Sequence, residues 1–135
     1  MKKKVVFSVS VALLLVVLLL ACVACTTPDV DSVKEKLTKA GYEFQEYDDA
    51  GDYSSAGVTV THQIGAHKED DLNEYVLVFW FASSKDANKI YENEKSSIDE
   101  LKKEYEETGI EFDYKIIKKG KMIAMGTSSA VEILE

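Results

Sequence analysis

Hydrophobic and polar positions from Thr26 onward switch between the two periodicities of regular structure, with turn residues at the switches. Val30, Val33, Leu37 and Ala40 recur at helical spacing behind Thr27-Pro28-Asp29. Thr27 or Asp29 can cap that helix, Pro28 near its first position loses nothing by lacking an N–H, and Gly41 offers a left-handed stop. Tyr42 to Tyr47 reads as a strand, followed by Asp48-Asp49-Ala50-Gly51-Asp52, which has turn chemistry. Val58, Val60, His62 and Ile64 alternate with Thr59, Thr61 and Gln63, the period of a strand with one buried face, and His67 to Asn73 reads as a polar connection. Tyr75-Val76-Leu77-Val78-Phe79-Trp80-Phe81 is apolar on both alternate sets, which implies a central strand covered on both sides or one shielded by a partner.

Ser83 or Ser84 can cap a long helix that runs to about Thr108, with Gly109 at its exit. Ala87, Ile90, Tyr91, Ile98, Leu101 and Tyr105 fall on one face of it, and Glu94 interrupts the stripe. At 1.5 Å per residue this helix reaches roughly 37 Å, longer than any strand here, so it must cross diagonally or overhang. Ile110, Phe112, Tyr114 and Ile116 alternate again, and Lys119-Gly120 offers a tight turn into Met122-Ile123-Ala124-Met125. Thr127 or Ser129 then starts a short terminal helix, with Ser129 and Glu132 spaced for a capping box. The order α-β-β-β-α-β-β-α predicts an α+β fold, a largely antiparallel sheet of about five strands with one long helix across a face.

Length and composition narrow the rest. A chain of 135 residues, 46% hydrophobic and 30% charged, suits one small globular unit, and two cysteines cannot build a disulfide scaffold. The amino terminus stands apart from that unit. Three lysines at 2–4 precede an apolar run from Val5 to Ala24 interrupted only by Ser8, Ser10 and Cys22, the pattern of an export signal.

Leu19-Leu20-Ala21-Cys22 resembles the lipobox of bacterial lipoproteins, although Leu20 stands where a smaller residue is commoner. The resemblance covers the leader alone. It implies that the Cys22 thiol receives a diacylglyceryl group and that cleavage occurs before it, with Cys25 as the alternative site. The chain then divides into a signal peptide at 1–21, a lipid-anchored tether at 22–27 and one domain at 28–135. The expected location is the bacterial cell membrane, with the domain on its extracytoplasmic side. An uncleaved signal anchor competes with this reading, since the apolar run is close to the roughly 20 residues that span a bilayer. Cys22-Val23-Ala24-Cys25 also has the C-x-x-C spacing of redox and metal sites, but it lies at the membrane boundary, outside the folded context that motif uses.

Removing the leader leaves 13 basic against 24 acidic residues, a net charge of −11. Every basic residue is Lys, so no guanidinium fork is present for bidentate capture of phosphate, and nucleic acid is not an expected partner. Such a surface attracts cations, including basic peptides. Lys118, Lys119 and Lys121 form the single basic cluster, which reads as a solvated hairpin.

The chain contains no G-x-S-x-G elbow, H-E-x-x-H or glycine-rich phosphate loop. His62 and His67, with Glu69 or Asp70, are the candidates for a metal site, against a strand histidine and a loop histidine that share nothing. Asp48, Asp49 and Asp52 lack the ligand spacing of a calcium loop and favour a solvated turn. Tyr47 and Tyr53 flank that loop and are the candidate exposed aromatic anchors.

No cofactor is implied. The expectation is a lipid-anchored, non-catalytic envelope module binding a cationic peptide or protein. A small metal-dependent or hydrolytic enzyme using His62, His67 and nearby carboxylates is the first alternative, and a structural subunit of an envelope assembly the second.

Overall fold

The computed structural model describes residues 26–47, 53 and 56–135. The leader with Cys22 and Cys25, and the acidic residues Asp48, Asp49 and Asp52, lie outside the described residues. The elements are α1 (Val30–Lys39), β1 (Tyr42–Tyr47), β2 (Val60–Lys68), β3 (Tyr75–Phe81), α2 (Ser84–Thr108), β4 (Lys115–Lys119), β5 (Met122–Gly126) and α3 (Ser128–Glu132). The fold is α+β with a five-stranded antiparallel sheet in the order β1-β2-β3-β5-β4.

β3 is the middle strand, and its two apolar sets feed two cores. Val76, Val78 and Trp80 face α1 and α3, where they bury with Val33, Leu37, Ile64, Met122 and Leu134. Phe79 and Phe81 face α2, where they bury with Val58, Val60, Ala87, Ile90 and Ile123. The helices therefore form a layer on each side of the sheet, and no shielding partner is needed to explain the strand. Trp80 also donates its Nε1–H to the Pro28 carbonyl at 2.8 Å, tying the start of the described chain to the central strand.

Caps follow the residue types that supply them. Asp29, not Thr27, caps α1, its carboxylate accepting the Ser32 N–H at 2.7 Å, so Pro28 sits one residue ahead of the cap. Ser83 caps α2 by accepting the Asp86 N–H at 3.1 Å, and Gly109 leaves the helix at φ 72°. Gly120 takes φ 59° at the first position of the two-residue β4–β5 loop, a conformation that costs glycine nothing.

Four local expectations are corrected. β2 continues through His67 and Lys68, because β1 and β3 supply partners for both residues. A bulge between Val60 and His62 adds one residue, so Val58 and Val60 face α2 whereas His62 and Ile64 face α1. The alternation from Ile110 becomes strand only at Lys115, opposite Gly126, beyond which β5 ends and offers no ladder. The Ser129–Glu132 capping box does not form: Ser129 donates to Glu74 at 2.8 Å, and Asp113 takes the Ser128 N–H at 3.0 Å instead.

Candidate functional site

α2 lies against β3, β5 and β4. The β1–β2 half of the same sheet face carries Gln45, Tyr47, Gln63, Gly65 and His67, and Tyr75 and Leu77 border it on β3. There the surface sinks into an open groove of about 210 Å³ lined by Gln45, Tyr47, Gly65, His67, Tyr75 and Leu77. Gly65 forms the floor, because it is the one position on this stretch of strand without a side chain. Tyr47 and Tyr75, 39% and 37% exposed, form opposite walls. Tyr47 donates from its hydroxyl to Gln45 Oε1 at 3.1 Å, which holds the ring down over the strand.

Tyr75 also begins a run of rings leading away from the groove. Its centroid is 6.4 Å from Tyr114, Tyr114 is 6.3 Å from Phe112, and Phe112 meets Tyr105 edge-on at 5.3 Å. Burial, together with the neighbouring Tyr75 and Glu94, pushes the Tyr114 hydroxyl up to about 12. Past Ile98 the long helix overhangs the sheet and leaves Leu101, Tyr105 and Ile110 exposed.

The residues singled out in the sequence separate. Tyr47 and His67 come together in the groove. His62 lies on the opposite face, its ring edge-on to Trp80 at 5.8 Å and its Nε2 3.0 Å from Glu46 Oε2, a contact without hydrogen-bond alignment. Glu46 also pairs with Lys34, and the Lys34 ammonium, with lesser help from His62, holds its carboxyl below the usual range. Glu69 and Asp70 are exposed in the β2–β3 turn. Among the described residues no group of three or more His, Cys, Asp and Glu converges on a common point. Tyr53 packs edge-on against Phe79 at 5.0 Å under α2 and donates to Glu94 at 3.2 Å, so it closes the core instead of standing out as an anchor. The same bond explains how Glu94 is tolerated in the apolar stripe of α2.

Gln45, Gly65, Tyr75 and Leu77 were not apparent as site residues. Gly65 was the available signal, since an isolated glycine inside a strand marks a bulge or a close approach.

A second polar cluster closes the far end of the sheet. Glu74, just before β3, accepts from Tyr42 and from Ser129 and lies 3.7 Å from the Lys68 ammonium. Donation from Tyr42 and then Ser129 holds the Glu74 carboxyl below its ordinary range, and burial followed by the carboxylate pushes the Tyr42 hydroxyl up. This network joins β1, β2, β3 and α3, and it reads as a fastening. Among the described residues no helix is long and apolar enough to cross a membrane. Comparison with protein-family models, with curated proteins and with solved structures returned no match.

Proposed function

We propose that this chain is a lipid-anchored, extracytoplasmic envelope protein acting as a non-catalytic binding module, with the groove between Tyr47 and Tyr75 as its contact site for a cationic peptide or protein. One observation carries the reading: among the described residues the long helix lies against β3, β5 and β4, and the β1–β2 half of the same face offers two exposed aromatic walls around a shallow depression. Tyrosine faces attract ammonium and guanidinium groups, and a body of net charge −11 concentrates such partners around it. The fold already uses this contact twice, with Lys34 5.6 Å from the Phe44 ring centre and Lys68 5.7 Å from that of Tyr42.

The test is calorimetric titration of the detergent-solubilised full chain with a Lys- and Arg-rich peptide at low and high salt. Binding should weaken as salt rises, and Tyr47→Ala and Tyr75→Ala should each weaken it about tenfold, or about 1.4 kcal/mol. Salt-indifferent binding, or variants that bind like the parent, would reject the groove as the contact site. Mass spectrometry of the membrane-extracted protein tests the anchor, which requires an acylated Cys22.

A second reading, a subunit of a larger envelope assembly, is supported by the apolar side chains that the overhang leaves exposed, Leu101 and Ile110 at 46% and 60%. It predicts that Leu101→Glu shrinks a native complex extracted from the membrane.

A further inference from the structure

The first described residues are fixed to one end of the sheet. The Thr27 hydroxyl accepts the Lys121 N–H at 2.8 Å, which pins the chain just ahead of α1 to the tip of the β4–β5 hairpin. Cys22 precedes Thr27 by five residues, a reach of about 17 Å at full extension. Lipid on Cys22 therefore confines this hairpin to the vicinity of the headgroups.

The hairpin carries Lys118, Lys119 and Lys121, the basic cluster of an otherwise acidic body. Lys121 is exposed, and Lys119 reaches the Glu135 carbonyl oxygen. Two exposed acids, Asp29 and Asp31, stand at the start of α1, where Asp29 is tied up as the cap, and Asp86 near the start of α2 accepts the Thr59 N–H at 3.3 Å. Charge of the other sign collects at the opposite end. Glu69, Asp70, Asp71 and Glu74 occupy the β2–β3 turn, and Glu104, Glu106 and Glu107 lie near the end of α2, which starts beside Phe81 and runs away from the hairpin.

We propose that the β4–β5 hairpin is a membrane-contact surface, its lysines seated on anionic lipid headgroups, so that the domain stands with its acidic end outward. This inference rests on the lipid-anchor reading above. Each lysine near an anionic leaflet adds to the attraction, and the effect fades within a Debye length. A short tether and a basic hairpin thus act on the same end of the molecule, whereas the acidic end is repelled. The groove between Tyr47 and Tyr75 is then carried on the side of the upright domain, accessible from the aqueous phase.

Amine footprinting of the acylated full chain tests this without altering any residue. The protein is reconstituted in phosphatidylcholine vesicles with or without phosphatidylglycerol, treated with an acetylating reagent and read by mass spectrometry, which also records the acyl group on Cys22. An anionic surface enriches protons and holds nearby lysines in the unreactive protonated form, so Lys118 and Lys121 should react about threefold more slowly in the phosphatidylglycerol vesicles. Lys102 and Lys103, on the overhanging part of α2, should react equally in both, and high salt should erase the difference at the hairpin. Equal rates at Lys118 and Lys121 in the two vesicles, or matching protection of Lys102 and Lys103, overturn the orientation while an acylated Cys22 leaves the anchor standing. An unmodified Cys22 overturns the anchor itself.

Discussion

The Tyr47 ring lies across the backbone of Gly65: a Cβ at that glycine would stand 3.5 Å from Tyr47 Cε2 and 3.6 Å from Leu77 Cδ2. These are ordinary contact distances, and Gly65 has no left-handed φ to defend. Gly65→Ala should therefore fold with unchanged stability or gain up to about 1 kcal/mol from the restricted unfolded chain. The added methyl occupies the groove floor, so peptide affinity should fall a few-fold. Denaturation and calorimetry on the same variant separate the two effects, and unchanged affinity would remove Gly65 from the contact site.

Gly126 presents the opposite case. A Cβ there would lie 2.1 Å from the Tyr75 carbonyl oxygen and 2.8 Å from Val76 Cα, both backbone atoms that no rotamer change can move. The closeness belongs to the crossing where the Thr127 N–H bonds the same carbonyl at 3.0 Å. Gly126→Ala should cost more than about 2 kcal/mol, by forcing β5 away from β3. A lowered denaturation midpoint checks this; a parental midpoint would mean that the two strands separate at little cost.

The order of elements was legible because each segment carries its own period and its own punctuation. Residues 75–81 announced a two-sided strand by being apolar throughout, and Ser83 and Gly109 marked both ends of the long helix. The bulge at Val60/His62 was not legible. An inserted residue leaves the alternation Val58, Val60, His62 and Ile64 intact in the sequence while reversing which face the later members meet. The start of β4 was hidden for a related reason, since the length of a ladder depends on a partner strand that a local pattern does not contain. The groove depends on which strands the long helix leaves bare. That is settled by packing, so Tyr47 and His67 could be named while Tyr75 and Leu77 looked like ordinary core.

Glu74 makes the fastening at the far end of the sheet sensitive to acid. Hydrogen bonds from Tyr42 and Ser129 depress its folded pKa, so its contribution is complete above the unfolded value near 4.5 and is lost as pH falls through the folded value. The parent should lose stability on acidification below about pH 4.5, and Glu74→Gln should start lower at neutral pH and show a shallower acid limb. Urea midpoints across that range measure both, and parallel acid limbs would show that other carboxylates carry the dependence.

Tyr114 sets the corresponding limit in alkali. Its ring is part of the core beneath α2, and burial, then the charge of nearby groups led by Tyr75, raises its hydroxyl from 10.0 to about 12. The folded chain therefore keeps a proton that the unfolded chain releases above pH 10, and stability must fall as pH rises from 10 toward 12. Tyr42, shifted in the same direction, contributes to the same alkaline loss. Tyr114→Phe removes one of these two protons without removing the ring, so it should keep the neutral midpoint near the parent's and lessen the decline above pH 10. Urea midpoints on both sides of that pH measure the slopes, and tyrosinate absorbance in the folded protein should show one late-titrating ring fewer in the variant. A variant whose midpoint declines as steeply as the parent's would assign the alkaline loss to Tyr42 and Lys115.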